Sequence, residues 1–150
     1  MIVTYYLCLL LAAYLAANFF VGCYHMLTDK GWNIPQQVQA FQEHHSGAVV
    51  FDLKPVYFAL PVVLLGLCWQ LPFVAAFAFF AGLSEFAHYA AHQPAACPGF
   101  MRGLQAVHLI IAPTTHAKHH DGRFNRHYCV LSGWTNGLVN RLARWVPMRA

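Results

Sequence analysis

Charge is what this sequence has least of. Five acidic and nine basic residues stand among 150, so 9% of the chain is charged, where a soluble domain carries about 25%. The first charged side chain is Asp29, and residues 55–84 hold none. Stretches of that length exclude an ordinary water-soluble surface. Paired cysteines are also missing. Cys8, Cys23, Cys68, Cys97 and Cys129 are odd in number and include no C-x-x-C, which argues for free thiols and against a disulfide framework or a cysteine zinc site. There is no H-E-x-x-H, so a zincin is excluded. The basic residues do not interleave with aromatics in any nucleic-acid motif. Met1-Ile-Val-Thr lacks the basic start of a signal peptide, and no A-x-A site is followed by a polar mature chain. A first membrane helix fits better.

What remains is strongly apolar: 59% hydrophobic, with a mean hydropathy of +0.45. Residues 2–21 are long enough to cross a hydrocarbon core of ~30 Å. Residues 55–84 as one helix would reach ~45 Å, too long for one straight crossing. Cys68-Trp69-Gln70-Leu71-Pro72 interrupts them, which predicts a hairpin of about 55–69 and 72–92. Pro94 and Pro98-Gly99 end the last arm. The expected fold is one all-α integral membrane domain over 1–150. It has about three transmembrane helices (roughly 2–22, 55–69 and 72–92) plus interfacial helices.

Between the crossings, Ile34-Pro35-Gln36-Gln37 reads as a helix start leading to Glu43-His44-His45. Residues 104–112 are apolar but too short to cross, so they lie in the interface or pack on the bundle. Leu138, Leu142 and Trp145 recur at helical spacing with Arg141 and Arg144 on the other side, the pattern of an interfacial amphipathic helix. Three crossings place all nine Lys and Arg on one side, which the positive-inside rule makes cytoplasmic or its equivalent. The histidines fall at or near that same face.

Those histidines carry the chemistry. His116, His119 and His120 form H-x-x-H-H, read as the start of a helix. His88 and His92 sit one turn apart at the end of the third crossing. Residues at i, i+3 and i+4 share a helix face, and neutral imidazole is the commonest metal ligand. His44 and His45 point about 100° apart on a helix, so each could serve a different metal. His25 closes the first crossing. Taken singly, each group has a plainer reading, as a solvated turn, a wetted helix end or a surface pair. Together they point to a metal centre beside lipid. Glu85 stands one turn before His88, as a ligand or as an acceptor that holds an imidazole N–H. Glu43, Asp29, Asp52 and Asp121 are either such acceptors or solvated acids. His108 and His127 read as structural or substrate-facing. Eight nitrogen donors suit two irons, which with dioxygen oxidise unactivated C–H bonds. A membrane haem would want axial histidines inside facing helices, and fewer of them.

Four stretches carry a family resemblance: Phe41–His45, His88–His92, His116–His120 and Tyr128-Cys-Val-Leu-Ser-Gly-Trp-Thr-Asn136. Across about 18–140 the chain resembles the Kua-type lipid desaturase domain family, which includes plasmanylethanolamine desaturase, its bacterial relative CarF and the plant plastid palmitate desaturase that makes a trans-3 double bond. The resemblance implies eight ligands for a di-iron centre: His25, His44, His45, His88, His92, His116, His119 and His120. It implies dioxygen as co-substrate and an electron donor such as cytochrome b5 or a ferredoxin. The expected activity is desaturation of a fatty-acyl or ether-linked alkyl chain of a membrane lipid. A hydroxylase on the same site and a non-enzymatic metal-binding or transport protein are the competing readings. A bacterial inner membrane, the endoplasmic reticulum and a plastid membrane all fit. Asn18, Ser46-Gly47, Glu85 and Thr115 depart from the family pattern, and they bear on the substrate more than on the metal.

Overall fold

The computed structural model describes residues 1–33, 35–46, 62–63, 66, 70–121 and 125–149. Among them there are six helices and no strand: α1 (Ile2–Asp29), α2 (Pro35–His45), α3 (Pro72–His92), α4 (Gly99–Ala106), α5 (Pro113–His120) and α6 (Asn136–Ala143). Two of these, α1 and α3, are long and apolar enough to cross a membrane. The expected arm 55–69 lies outside the described residues except at 62, 63 and 66, as does Asp52.

The sequence predicted an end to α1 near residue 22, but the helix runs to Asp29. Nothing between 22 and 29 breaks it. The stop is Gly31, whose φ of 77° suits a residue without a Cβ. Trp32 N–H donates to Leu27 C=O at 2.8 Å and Gly31 N–H to Thr28 C=O at 3.0 Å, the paired bonds of a Schellman cap. The two added turns carry His25 and Asp29 on one face. The other long helix begins with Pro72 in its first turn and ends at His92, matching the sequence expectation.

α1 and α3 are the main packed pair. Ala13, Ala17, Ala87 and Ala90 are fully buried, and such small residues let helix backbones approach closely. Tyr14 anchors one core cluster, with its ring edge-on to Phe80 and its hydroxyl donating to Leu109 C=O at 2.6 Å. The outer half of α1 exposes Ile2, Val3, Leu7, Leu10 and Leu11, and α3 exposes Phe73, Val74 and Phe79. A helix apolar all round is built for lipid or a core.

The remaining elements gather at the other end of the pair. Residues 104–112 pack on the bundle: Ile110 and Ile111 are buried, and Ile111 N–H donates to Leu131 C=O at 2.8 Å. Residues 128–132 are all buried and lie along α1. Asn18 holds them, its Nδ2 donating to Ser132 Oγ and its Oδ1 accepting from Ser132 N–H, each at 3.1 Å. In α6, Asn136, Val139 and Ala143 turn inward, while Leu138, Leu142 and Trp145 are exposed.

Candidate metal centre

Four helices bring the eight histidines to one place. His25 comes from α1, His44 and His45 end α2, and His88 and His92 end α3. His116, His119 and His120 form the last turns of α5. The H-x-x-H-H cluster therefore closes a helix where the sequence suggested that it opens one. Pro113 takes the first-turn position, where its missing N–H costs nothing.

The donors divide into two groups. His44, His88, His92, His116 and His120 form one; His25, Asp29, His45 and His119 form the other. Within each, the ligand atoms lie within 4.8 Å of one another. The neighbours His44 and His45 fall in different groups, as their divergence on a helix allows. The groups also adjoin: the His45 and His120 rings are 5.1 Å apart, and those of His25 and His88 5.8 Å.

In the five-histidine group, His116 Nε2 lies 2.7 Å from His92 Nε2, 3.0 Å from His120 Nε2 and 3.1 Å from His88 Nε2. One ring proton cannot satisfy three such contacts. A common cation can, because metal–nitrogen bonds of ~2.1 Å at right angles set neighbouring nitrogens about 3 Å apart.

In the other group, two main-chain carbonyls fix the imidazoles from behind. His25 Nδ1–H donates to Tyr128 C=O at 2.9 Å, and His119 Nδ1–H donates to Arg126 C=O at 2.8 Å. A carbonyl only accepts, so the proton sits on Nδ1 and the Nε2 lone pair faces inward. There it meets Asp29: the carboxylate is 3.5 Å from His25 Nε2 and 3.3 Å from His119 Nε2. His45 Nε2 is 3.5 Å from the same carboxylate. His25 Nε2 and both Asp29 oxygens are buried without a hydrogen-bond partner among the described residues. Acceptors facing acceptors in a buried site call for a cation between them, so the donor set fits a metal.

Electrostatics keep the imidazoles in their ligating form. Burial, then the neighbouring His119, pushes His45 down to about 3. Burial, then His92, does the same for His120. His116 is held well below its ordinary value by burial, then by His92 and His120, and His44 is lowered by burial, then by His119. Neutral imidazole binds metal and imidazolium does not. Tyr128 is shifted the other way: burial, then the Asp29 charge, raises its hydroxyl and keeps it protonated. That hydroxyl is buried with no hydrogen-bond partner among the described residues.

Of the carboxylates the sequence singled out, Asp29 alone among the described residues enters a donor group. Its signal was present as His25-x-x-x-Asp29, hidden by placing the helix end too early. Glu85 is half-buried and in neither group. Glu43 is exposed and accepts from Gln39 Nε2 at 2.8 Å. Asp121 is exposed beyond α5. His108 and His127 stay outside both groups but line one cavity of about 420 Å³, both with left-handed backbone, φ 58° and 62°.

Comparison with known proteins gives the family. The family described as lipid desaturase domain matches residues 14–149. Plasmanylethanolamine desaturase of Myxococcus xanthus is 30% identical over 152 residues, covering 84% of this chain and 53% of that protein. Chloroplastic fatty acid desaturase 4 of Arabidopsis thaliana is 29% identical over 147 residues, covering 85% of this chain and 46% of that protein. The chain thus spans about half the length of the curated relatives it matches. No solved structure matches it significantly. With a match over nearly its whole length, the chain belongs to the lipid desaturase domain family.

Proposed function

We propose that this chain is an integral membrane, di-iron, oxygen-dependent desaturase acting on an acyl or alkyl chain of a membrane lipid. The observation that carries the reading is the pairing of a five-histidine group with a three-histidine, one-aspartate group in adjoining space. Each group would hold one iron. The reaction removes two hydrogens from adjacent carbons. With dioxygen, two electrons and two protons it yields one double bond and two waters. The electrons would come from a donor such as cytochrome b5 or a ferredoxin. In this reading the single domain runs over 1–150, crosses the membrane three times, and carries its ligands at the cytoplasmic face or its equivalent.

Two irons with dioxygen supply an oxidant strong enough for an unactivated C–H bond. The protein's own residues do the rest. Tyr128 and Arg126 carbonyls hold His25 and His119 in the one tautomer that ligates. Asp29 would supply negative charge to a metal held there, which eight neutral imidazoles do not. The Tyr128 ring packs against the His25 and His119 rings, and its hydroxyl would serve as a proton donor. The apolar flanks of α1 and α3 give a lipid chain a dry route to the site and keep water from it.

The test is lipid profiling by mass spectrometry, with and without the protein in a lipid-rich host, alongside metal analysis. A product lighter by two hydrogens, lost in His119→Ala, is expected, with about two irons per chain. A product heavier by one oxygen would make the enzyme a hydroxylase. Zinc alone with no lipid change would make it a metal-binding protein.

A further inference from the structure

Beside the metal groups lies a second cavity of about 550 Å³, within the size range of ligand sites. Three cations line it, Lys30, Arg126 and Arg144, together with the amides of Asn125 and Asn140 and the side chain of Met148. None of the described residues that line it is acidic. Asp29 is next to Lys30 in sequence, but its carboxylate is turned inward to His25, His45 and His119. Three like charges around one concavity repel each other and favour an anion.

The cavity is built, not a gap between loops. Residues 147–149 are tied to the end of α1: Arg149 N–H donates to Lys30 C=O and Trp32 Nε1–H to Pro147 C=O, each at 2.8 Å. Asn140 Oδ1 accepts from His127 N–H at 2.9 Å, which leaves its NH₂ to donate elsewhere. Arg126 joins the cavity to the metal groups, since its carbonyl holds His119 and the residue lines the cavity. Next to Arg144, the exposed Leu138, Leu142 and Trp145 of α6 and the following turn present an apolar face. An anion pocket beside an apolar face suits an amphiphile.

We propose that Lys30, Arg126 and Arg144 form a phosphate-binding pocket that seats the phosphodiester headgroup of the lipid substrate, so that its chain is presented to the adjoining metal groups. Guanidinium and ammonium donors with two amides match the oxygens of a phosphate ester. The pocket is concave and small, which favours a headgroup over the broad acidic surface of a protein electron carrier. The inference rests on the lipid desaturase reading for what happens to the chain, but not for the binding itself.

The experiment uses the full chain, metal-free, in maltoside micelles. Binding of dihexanoylphosphatidylglycerol is followed by phosphorus NMR. Sodium phosphate and the phosphate-free dihexanoylglycerol serve as separate arms. The expected result is saturable phospholipid binding that is weakened roughly tenfold or more in Lys30→Gln/Arg144→Gln. Arg144→Lys, which keeps the charge, should recover most of it. Dihexanoylglycerol should bind at least about tenfold more weakly than the phospholipid. Circular dichroism and gel filtration must show each variant folded. Sodium phosphate competing at the same concentration as the phospholipid would leave a phosphate site but overturn the headgroup assignment. Absent binding, or binding unchanged in the folded double variant, would overturn the pocket. So would a double variant that keeps phospholipid binding but loses association with an acidic electron carrier. No iron or turnover is needed, so this test can fail while desaturation stands, or succeed where desaturation fails.

Discussion

Gly22 and Cys129 occupy one another's space. A Cβ on Gly22 would lie 2.6 Å from Cys129 Sγ, 3.3 Å from a Val139 methyl and 3.4 Å from Cys129 Cα. The absent side chain is what lets the buried 128–132 segment lie flat on α1. From there the Tyr128 carbonyl reaches His25, one turn further along the helix. Gly22→Val gains only about 0.3–0.5 kcal/mol in helix propensity. It loses about 1–3 kcal/mol to overpacking at a site with little room to give. The net expectation is destabilisation, read as a lower thermal midpoint in detergent, with a loss of bound iron. A variant as stable as the parent would show that the segment can shift at little cost.

Asp29→Asn keeps the shape of the side chain and removes its charge. Only the three-histidine group uses it. Iron content should fall from about two to about one per chain, since loss of an anionic ligand costs at least the 10–100-fold typical of supporting residues. The five-histidine group keeps its metal, and desaturation is abolished. Elemental analysis that still finds both irons would remove Asp29 from the ligand set.

Tyr128→Phe removes a buried hydroxyl that has no hydrogen-bond partner among the described residues. Losing such a group costs little stability and can add some. The thermal midpoint should therefore hold, and iron content should not change. Turnover is expected to drop by about 10²-fold if the hydroxyl donates a proton during the reaction. A variant with full turnover would make Tyr128 a packing residue.

Acid should strip the site before it unfolds the helices. His45 and His120 titrate near 3 in the folded chain, against an ordinary 6.5. A lowered pKa means the unfolded chain binds more protons between those values. The stabilising contribution is thus complete above about 6.5, shrinks as pH falls, and is gone below about 3. The metal-free protein should lose stability across that window, and the iron-loaded protein should resist to lower pH, because bound metal excludes the proton. Thermal melts at pH 7, 5 and 4, with and without iron, check this. Equal acid sensitivity of both forms would contradict it.

His108 is exposed and has a φ of 58°. A left-handed backbone costs a non-glycine residue of order 1 kcal/mol. His108→Gly should stabilise the chain by about 0.5–1 kcal/mol if the imidazole does nothing else. A fall in turnover despite that gain would give the cavity it shares with His127 a role in the reaction.

Much of the site was legible because its information is local. H-x-x-H-H and H-x-x-x-H encode a shared face by spacing alone, and the structure joins His88, His92, His116 and His120 in one donor group, while His119 goes to the other. The start and end of α3 were legible from Pro72 and Pro94. What escaped was set by contacts between distant parts of the chain. Gly22 looks like a helix breaker until Cys129 is laid over it. Asp29 looks like a loop acid until the Gly31 cap is seen to lie beyond it. The Arg126 and Tyr128 carbonyls carry no side-chain signal, yet they set the tautomers. The apolar stripe of Leu138, Leu142 and Trp145 was found, but its partner face of Asn136, Val139 and Ala143 was not, because small and polar residues seldom announce burial.

The carbonyl that orients His25 belongs to a residue 103 positions downstream. During synthesis His25 leaves the ribosome early and must wait for nearly all of the chain before its imidazole is locked. Completion of this donor group is therefore a late step of folding. A product truncated before Tyr128 would carry all ten histidines and still lack the carbonyl that fixes His25, so its donor groups would stay unfinished.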